Sequence, residues 1–106
     1  MMSKIELLFG ADIVPLFAEN NAYVEMIQGI REGYKEQGVT FPIVHLRDES
    51  SLSGQQYQVI IDGELAADET LSQIADGTMM EMLTKLSDAF CNYYNAQPAY
   101  GTSLSV

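Results

Sequence analysis

Two apolar stripes with the spacing of an α-helix constrain this chain more than any other feature. Tyr23, Ile27, Ile30 and Tyr34 follow one another at steps of four, three and four residues. A longer stripe near the other end of the chain repeats this spacing, with Met79, Leu83, Leu86, Phe90 and Tyr93. Residues at such steps lie on one face of a helix. The sequence therefore predicts two amphipathic helices, each with one face to bury.

Turn and capping residues set the limits of these helices. Asn20-Asn21 supplies an N-cap for the first helix, and Gly38 is placed to take the left-handed conformation that ends it. Thr78-Met79-Met80-Glu81 has the form of a capping box and opens the second helix, which Pro98 is expected to end. Another capping box, Thr70-Leu71-Ser72-Gln73, predicts about one turn of helix before it.

Strand-type segments lie before and between the two helices. Polar and apolar residues alternate from Lys4 to Phe9, and β-forming residues are frequent from Phe41 to Arg47 and from Gln56 to Asp62. Asp62-Gly63 is a two-residue hairpin signal, after which residues 64–67 are expected to form a short returning strand. The second and third strands are expected to pair as an antiparallel hairpin.

The order strand, helix, strand, strand, short strand, helix predicts an α+β fold within a single domain, 1–106. We expect a two-layer sandwich, in which both helices cover one face of a small mixed sheet of three or four strands. The apolar connection from Ala11 to Leu16 is expected to plug one end of the core. The other sheet face is expected to be mostly polar, with Lys4, Glu6, His45, Arg47, Gln56 and Gln58.

The chain carries fifteen acidic and five basic residues, which give a net charge of −10. Nucleic acid is disfavoured as a partner, because its binding depends on Lys and Arg, and the basic residues are few and scattered. An anionic membrane surface is disfavoured for the same reason, and the apolar runs are too short to span a bilayer. The acidity favours solubility through self-repulsion, or the recognition of a basic partner surface.

A cytoplasmic location is expected from two further features. The first residues run directly into an alternating pattern and lack the apolar stretch of a signal peptide. One cysteine, Cys91, cannot form an internal disulfide, which is typical of proteins from a reducing compartment.

Few residues are suited to chemistry. The one histidine, His45, lies within a predicted strand, and Cys91 lies beside Phe90 in a predicted helix, so both are expected to have structural roles. No spacing of His and Cys suits a metal, and no cofactor motif is present. The residues indicate a non-enzymatic protein. The alternative is a small-molecule-binding or minor catalytic domain using His45, Cys91 or the paired loop carboxylates Asp48, Glu49, Asp68 and Glu69.

Three methionines occur within four residues at the start of the second helix: Met79, Met80 and Met82. They cannot all face the core from one helix. The pattern leaves two interpretations, packing against neighbouring segments or an adaptable contact surface formed by one or two of them.

The order of several short motifs is similar to that in a known family. An alternating strand leads to Gly10 and the apolar Val14-Pro15-Leu16 turn, and a helix follows that carries Ile27, Gly29, Ile30 and Arg31. A strand ending in Arg47-Asp48 then precedes Leu52 and a strand with Tyr57, Val59, Ile61 and Gly63. From Ile5 to Leu71 the chain resembles the first cytoplasmic subdomain of the FHIPEP family, the FlhA-like export-gate proteins of flagellar and virulence type III secretion.

The second helix extends this resemblance. Thr84-Lys85-Leu86-Ser87-Asp88 is similar to the helix with which the family closes this subdomain. In the family a second subdomain is inserted before that helix, and a membrane portion precedes the soluble part; the resemblance implies that this chain lacks both. The chaperone–substrate dimple of the family lies between the two subdomains, and Thr84 falls where the closing helix lines it.

The resemblance implies a non-enzymatic protein-interaction domain, similar to part of the export gate, that binds a protein partner or self-associates. Thr84 is the position expected to contact a partner. Arg47 and Asp48 also match the family motif, and they are expected to fix the loop after their strand.

Overall fold

The computed structural model describes residues 3–96, so predictions for Pro98 and the residues after it lie outside the described part. Seven elements follow one another along the chain: β1 (Ile5–Phe9), α1 (Val14–Ala18), α2 (Ala22–Glu36), β2 (Val44–Asp48), β3 (Gln56–Ile61), β4 (Glu64–Thr70) and α3 (Thr78–Asn95). They form the predicted α+β fold, with one mixed four-stranded sheet. None of the helices in residues 3–96 has the length and apolarity needed to cross a membrane.

The strands lie in the order β2-β1-β3-β4. β1 is parallel to β2, with Ile5 opposite Val44, and antiparallel to β3, which is antiparallel to β4. The predicted hairpin of β2 and β3 is therefore wrong, because β1 lies between these strands. The physical reason is burial: Leu7 and its neighbour Leu8 point to opposite faces of the sheet, yet they are 0% and 7% exposed. A strand that buries apolar side chains such as Leu7 and Leu8 on both faces is most stable at the centre of the sheet.

The predicted signals mark both ends of α2, but the cap residue itself does not bond as expected. Asn21 occupies the N-cap position without a side-chain cap hydrogen bond, and it is the Asn20 side chain that accepts a 2.9 Å hydrogen bond from the N–H of Ala22, the first helical residue. Gly38 has a φ of +77°, and the N–H of Val39 donates to the carbonyl oxygen of Tyr34 at 3.0 Å. This arrangement is a Schellman motif, which satisfies the last helical carbonyls.

The start of α3 differs from its prediction. The Thr78 hydroxyl accepts a 2.9 Å hydrogen bond from the N–H of Ala75 in the preceding turn, and no side chain caps the helix. Gly77, directly before the first helical residue, occupies the N-cap position with a φ of +87°. The short helix predicted from Thr70 is also absent, because β4 continues through Thr70 and the segment to Gly77 is irregular.

Both long helices cover the same face of the sheet, as predicted. Their apolar stripes join the inward-facing strand residues in one buried cluster, which includes Ile5, Leu7, Val59, Ile61, Ile27, Tyr34, Leu83, Leu86 and Phe90. The rings of Tyr34, Phe41 and Phe90 are in mutual contact, with centroids 4.9 to 5.3 Å apart. These three rings join α2, the segment before β2 and α3.

The connection after β1 closes one end of the core, as predicted, but part of it is the short helix α1. Ile13 is completely buried, and the Phe17 ring stacks on that of Phe9 with centroids 5.0 Å apart. Pro15 lies in the first turn of α1, where its missing N–H leaves no helical bond unmade.

Candidate functional site

The candidate site is the exposed side of α3. Thr84 is exposed, Met80 lies one helical turn before it, and Asp88 lies one turn after it. We refer to Met80, Thr84 and Asp88 as the α3 outer stripe. The buried residues Leu83 and Leu86 occupy the opposite side of the helix and hold it on the sheet. The position of the stripe therefore follows from the helical period of the apolar residues.

The three methionines at the start of α3 divide between the two interpretations of their pattern. Met79 is 5% exposed and Met82 is completely buried, whereas Met80 is 51% exposed. Two of them therefore belong to the core, and Met80 places a flexible apolar side chain on the α3 outer stripe. Exposed methionines adapt well to the shape of a protein partner.

Side chains of both charges adjoin this stripe, since Glu81 follows Met80 and Lys85 follows Thr84 in α3. The Lys85 ammonium lies 3.3 Å from the Glu69 carboxylate of β4, in a half-exposed ion pair of the kind that adds little stability. Burial, together with the charges of Glu69 and Glu81, raises the pKa of Tyr57 to about 12. The Tyr57 hydroxyl is therefore neutral at physiological pH.

The sheet separates His45 from Cys91. His45 is exposed on the edge strand β2, opposite Glu6 in the register, and both point away from the helices. Cys91 is 2% exposed within α3, where the Asn95 side-chain amide donates to its sulfur at 3.6 Å. These two residues therefore form no common site.

The paired carboxylates Asp68 and Glu69 do not form a common site with His45 or Cys91. Asp68 and Glu69 lie in β4 and not in a loop, so they point to opposite faces of the sheet. Asp68 accepts hydrogen bonds from the amides of Gln56 and Gln58, at 2.9 and 3.2 Å. Among residues 3–96, no group of three His, Cys, Asp or Glu side chains is arranged to hold a metal ion.

Arg47 lies on the open face of the sheet, between β1 and the loop after β2. Its guanidinium is 3.8 Å from the Glu6 carboxylate and 3.9 Å from that of Glu49. Glu49 in turn accepts hydrogen bonds from the N–H and hydroxyl of Ser51, at 3.4 and 3.2 Å. Lys4, 3.0 Å from Glu6, lowers the pKa of the Glu6 carboxyl, with a smaller contribution from Arg47 and against partial burial. Arg47 thus contacts the loop after β2 through Glu49, which is what its expected loop-fixing role requires. The Asp48 side chain, for which the same role is expected, is exposed.

β4 is the most exposed strand of the sheet, and it is longer than the predicted short strand at residues 64–67. The prediction that Asp68 and Glu69 lie in a loop is wrong, because β4 extends through both. The segment Glu64–Thr70 has few β-forming residues and no polar–apolar alternation to indicate this strand. The hairpin signal at Asp62-Gly63 was the one local indication that a strand follows.

The fold is one that FHIPEP-family export-gate proteins of type III secretion contain. Solved structures with this fold include MxiA of Shigella flexneri, at a TM-score of 0.58 and 19% identity over 87% of this chain and 36% of the other. CdsV of Chlamydia pneumoniae is similar at a TM-score of 0.57 and 18% identity, over 73% of this chain and 27% of the other. A complex of CdsV with CdsO gives a TM-score of 0.54 and 18% identity, over 73% and 26%.

These similarities confirm the family resemblance at the level of fold. The chain spans about a quarter to a third of the length of the solved structures that it matches. No protein-family profile matches the chain, and no curated protein matches it.

Proposed function

We propose that this chain is a non-enzymatic protein-interaction domain that acts in the cytoplasm as part of a type III secretion export apparatus. The observation that carries this proposal is the match to MxiA, whose fold covers 87% of the chain at a TM-score of 0.58. At this coverage the similarity extends over most of the chain and not over a single motif.

A protein partner is supported by both the comparisons and the surface. CdsV occurs in a complex with CdsO, so a protein of similar fold binds another protein. In this chain the α3 outer stripe combines the exposed Met80 with Thr84 and Asp88 on a helix whose other side is buried in the core. We assign the partner contact to this stripe, with Thr84 at its centre.

A non-enzymatic role is supported by the positions of the reactive groups. His45 lies on the open face of the sheet, Cys91 lies in the core on the other side, and the carboxylates of β4 are divided between the two faces. Nucleophilic or acid–base catalysis needs such groups within hydrogen-bond reach of one another.

Site-specific photo-crosslinking in the source cells tests the proposal. A photoreactive residue at Thr84 is expected to crosslink to a component of the export apparatus. The matched control is the same residue at Val24, which is 56% exposed on α2. The proposal is overturned if Thr84 gives no adduct with an export component, or gives the same adducts as Val24.

A further inference from the structure

The outer edge of β4 is an unused pairing surface. β4 pairs with β3 on one side, and in the part of the chain that the structure describes no strand pairs with its other side. It is the longest strand of the sheet, with seven residues, and all of them except Ala67 and Glu69 are exposed. An edge strand presents N–H and C=O groups that can pair with an added strand.

The two edges of the sheet are protected to different degrees. β2 has five residues, follows the buried Pro42 and carries Arg47, and proline and basic residues both discourage edge pairing. β4 contains no proline, lysine or arginine. A bulge leaves Ala66 without a partner on β3, but residues 67–70 pair regularly with residues 56–59. This regular stretch offers the better template for another strand.

Charge decides which kind of strand fits this edge. β4 carries Glu64, Asp68 and Glu69 and no basic residue. Lys85 compensates Glu69, but the donors to Asp68 in the described part of the chain are the neutral amides of Gln56 and Gln58. Pairing with β4 of a second copy would bring these carboxylates together between two chains of net charge −10. Such pairing is unfavourable, whereas a basic strand would complement the edge.

We propose that the outer edge of β4 binds an extended basic segment of a partner protein as a fifth strand. The main chain of that segment pairs with residues 67–70, and its Lys or Arg side chains lie on the open face of the sheet beside Asp68, which is opposite Gln58 in the register. Strand addition of this kind gains affinity from main-chain hydrogen bonds and specificity from alternate side chains. The proposal deepens the interaction role proposed above, on which it rests, and it does not involve Thr84.

Binding of a defined peptide to the whole chain tests this surface. The probe is a short blocked peptide in which lysine alternates with valine, and its counterpart has glutamate in place of lysine. The lysine peptide is expected to bind and to slow amide hydrogen exchange in β4, while the glutamate peptide does neither. Asp68→Lys is expected to weaken binding roughly tenfold, because it replaces a favourable charge contact with a repulsive one.

A matched variant separates this site from general charge attraction. Glu32→Lys changes the net charge by the same two units at an exposed position of α2, and it is expected to leave the affinity unchanged within about twofold. The proposal is overturned if the lysine peptide does not bind, if both variants weaken its binding equally, or if it protects β2 instead of β4. It is also overturned if the unsubstituted chain self-associates through β4 and blocks the peptide, since the edge would then belong to a second copy. The Thr84 crosslink does not depend on these results, so the two proposals can fail separately.

Discussion

The Tyr93 hydroxyl donates a 2.7 Å hydrogen bond to the Asp62 carboxylate and so ties the last turns of α3 to the turn between β3 and β4. Asp62 also accepts a 2.8 Å hydrogen bond from the N–H of Lys4, at the start of β1. Asp62 and Gly63 have φ values of 51° and 83°, as a tight hairpin turn of type I′ requires. One carboxylate thus joins the helix, the hairpin and the first strand.

The contact between Tyr93 and Asp62 is expected to make stability depend on pH. Partial burial acts to raise the pKa of Asp62, but the bonds from Tyr93 and Lys4 outweigh it and hold that pKa below its ordinary value of 3.8. A group with a lowered folded pKa contributes stability that is present above its unfolded pKa and is lost as the pH falls through the folded value. Tyr93→Phe should therefore lower the free energy of unfolding by about 1 kcal/mol at neutral pH, and by less below pH 3.8. Urea denaturation of both proteins at neutral pH and below pH 3.8 measures this difference in the free energy of unfolding.

Tyr23→Phe is the control for this experiment, because the Tyr23 ring contacts Phe17 and that contact survives the loss of the hydroxyl. Its effect on the free energy of unfolding should be the same at neutral and acid pH. An equal loss at both pH values for Tyr93→Phe would show that the charge of Asp62 plays no part.

The ring cluster of Tyr34, Phe41 and Phe90 should dominate the stability of the helix layer. Phe90→Leu keeps an apolar side chain but removes two edge-to-face ring contacts, so we expect it to lower the free energy of unfolding by about 2 kcal/mol. Val24→Ala removes apolar volume from an exposed position of α2 and should change stability by less than about 0.5 kcal/mol. Equal effects of the two substitutions in chemical denaturation would contradict the buried position of Phe90.

The features that the sequence predicts correctly are those set by residues close to one another along the chain. The helices followed from the apolar period, the end of α2 from Gly38, and the turn at Asp62-Gly63 from its sequence. The central position of β1 and the length of β4 could not be predicted in this way. Strand order depends on which strand buries side chains on both of its faces, as β1 does with Leu7 and Leu8. The segment Glu64–Thr70 forms a strand because it pairs with β3, which is a contact between distant parts of the fold.

The positions of the candidate residues, as distinct from their roles, could be predicted to a similar extent. The exposure of Thr84 follows from the helical period around the buried Leu83, so this residue could be placed on an outer face from the sequence alone. The separation of His45 from Cys91 could not, because it depends on which face of the sheet the helices cover.

A close approach between two loops should make Gly10 the least replaceable glycine near β1. A Cβ at this position would collide with the backbone carbonyl oxygen of Ser53, which lies in the loop between β2 and β3. Gly10→Ala is therefore expected to lower the free energy of unfolding by about 2–4 kcal/mol. At Gly29, within α2, an added Cβ meets no atom within 4 Å, so Gly29→Ala should raise it by about 0.5–1 kcal/mol. Thermal and chemical denaturation compare the two variants, and a neutral Gly10→Ala would mean that the loop moves away freely.

The reactivity of Cys91 distinguishes an interaction domain from one that uses this thiol. Cys91 is 2% exposed, and Asn95 covers its sulfur from the next helical turn, so a thiol reagent should reach it only when α3 opens. The modification rate should therefore rise with urea in parallel with unfolding. The control is Thr84→Cys combined with Cys91→Ala, which places a thiol on the exposed side of the same helix and should react at least about 100-fold faster. Rapid modification of Cys91 in the folded protein would favour the catalytic alternative.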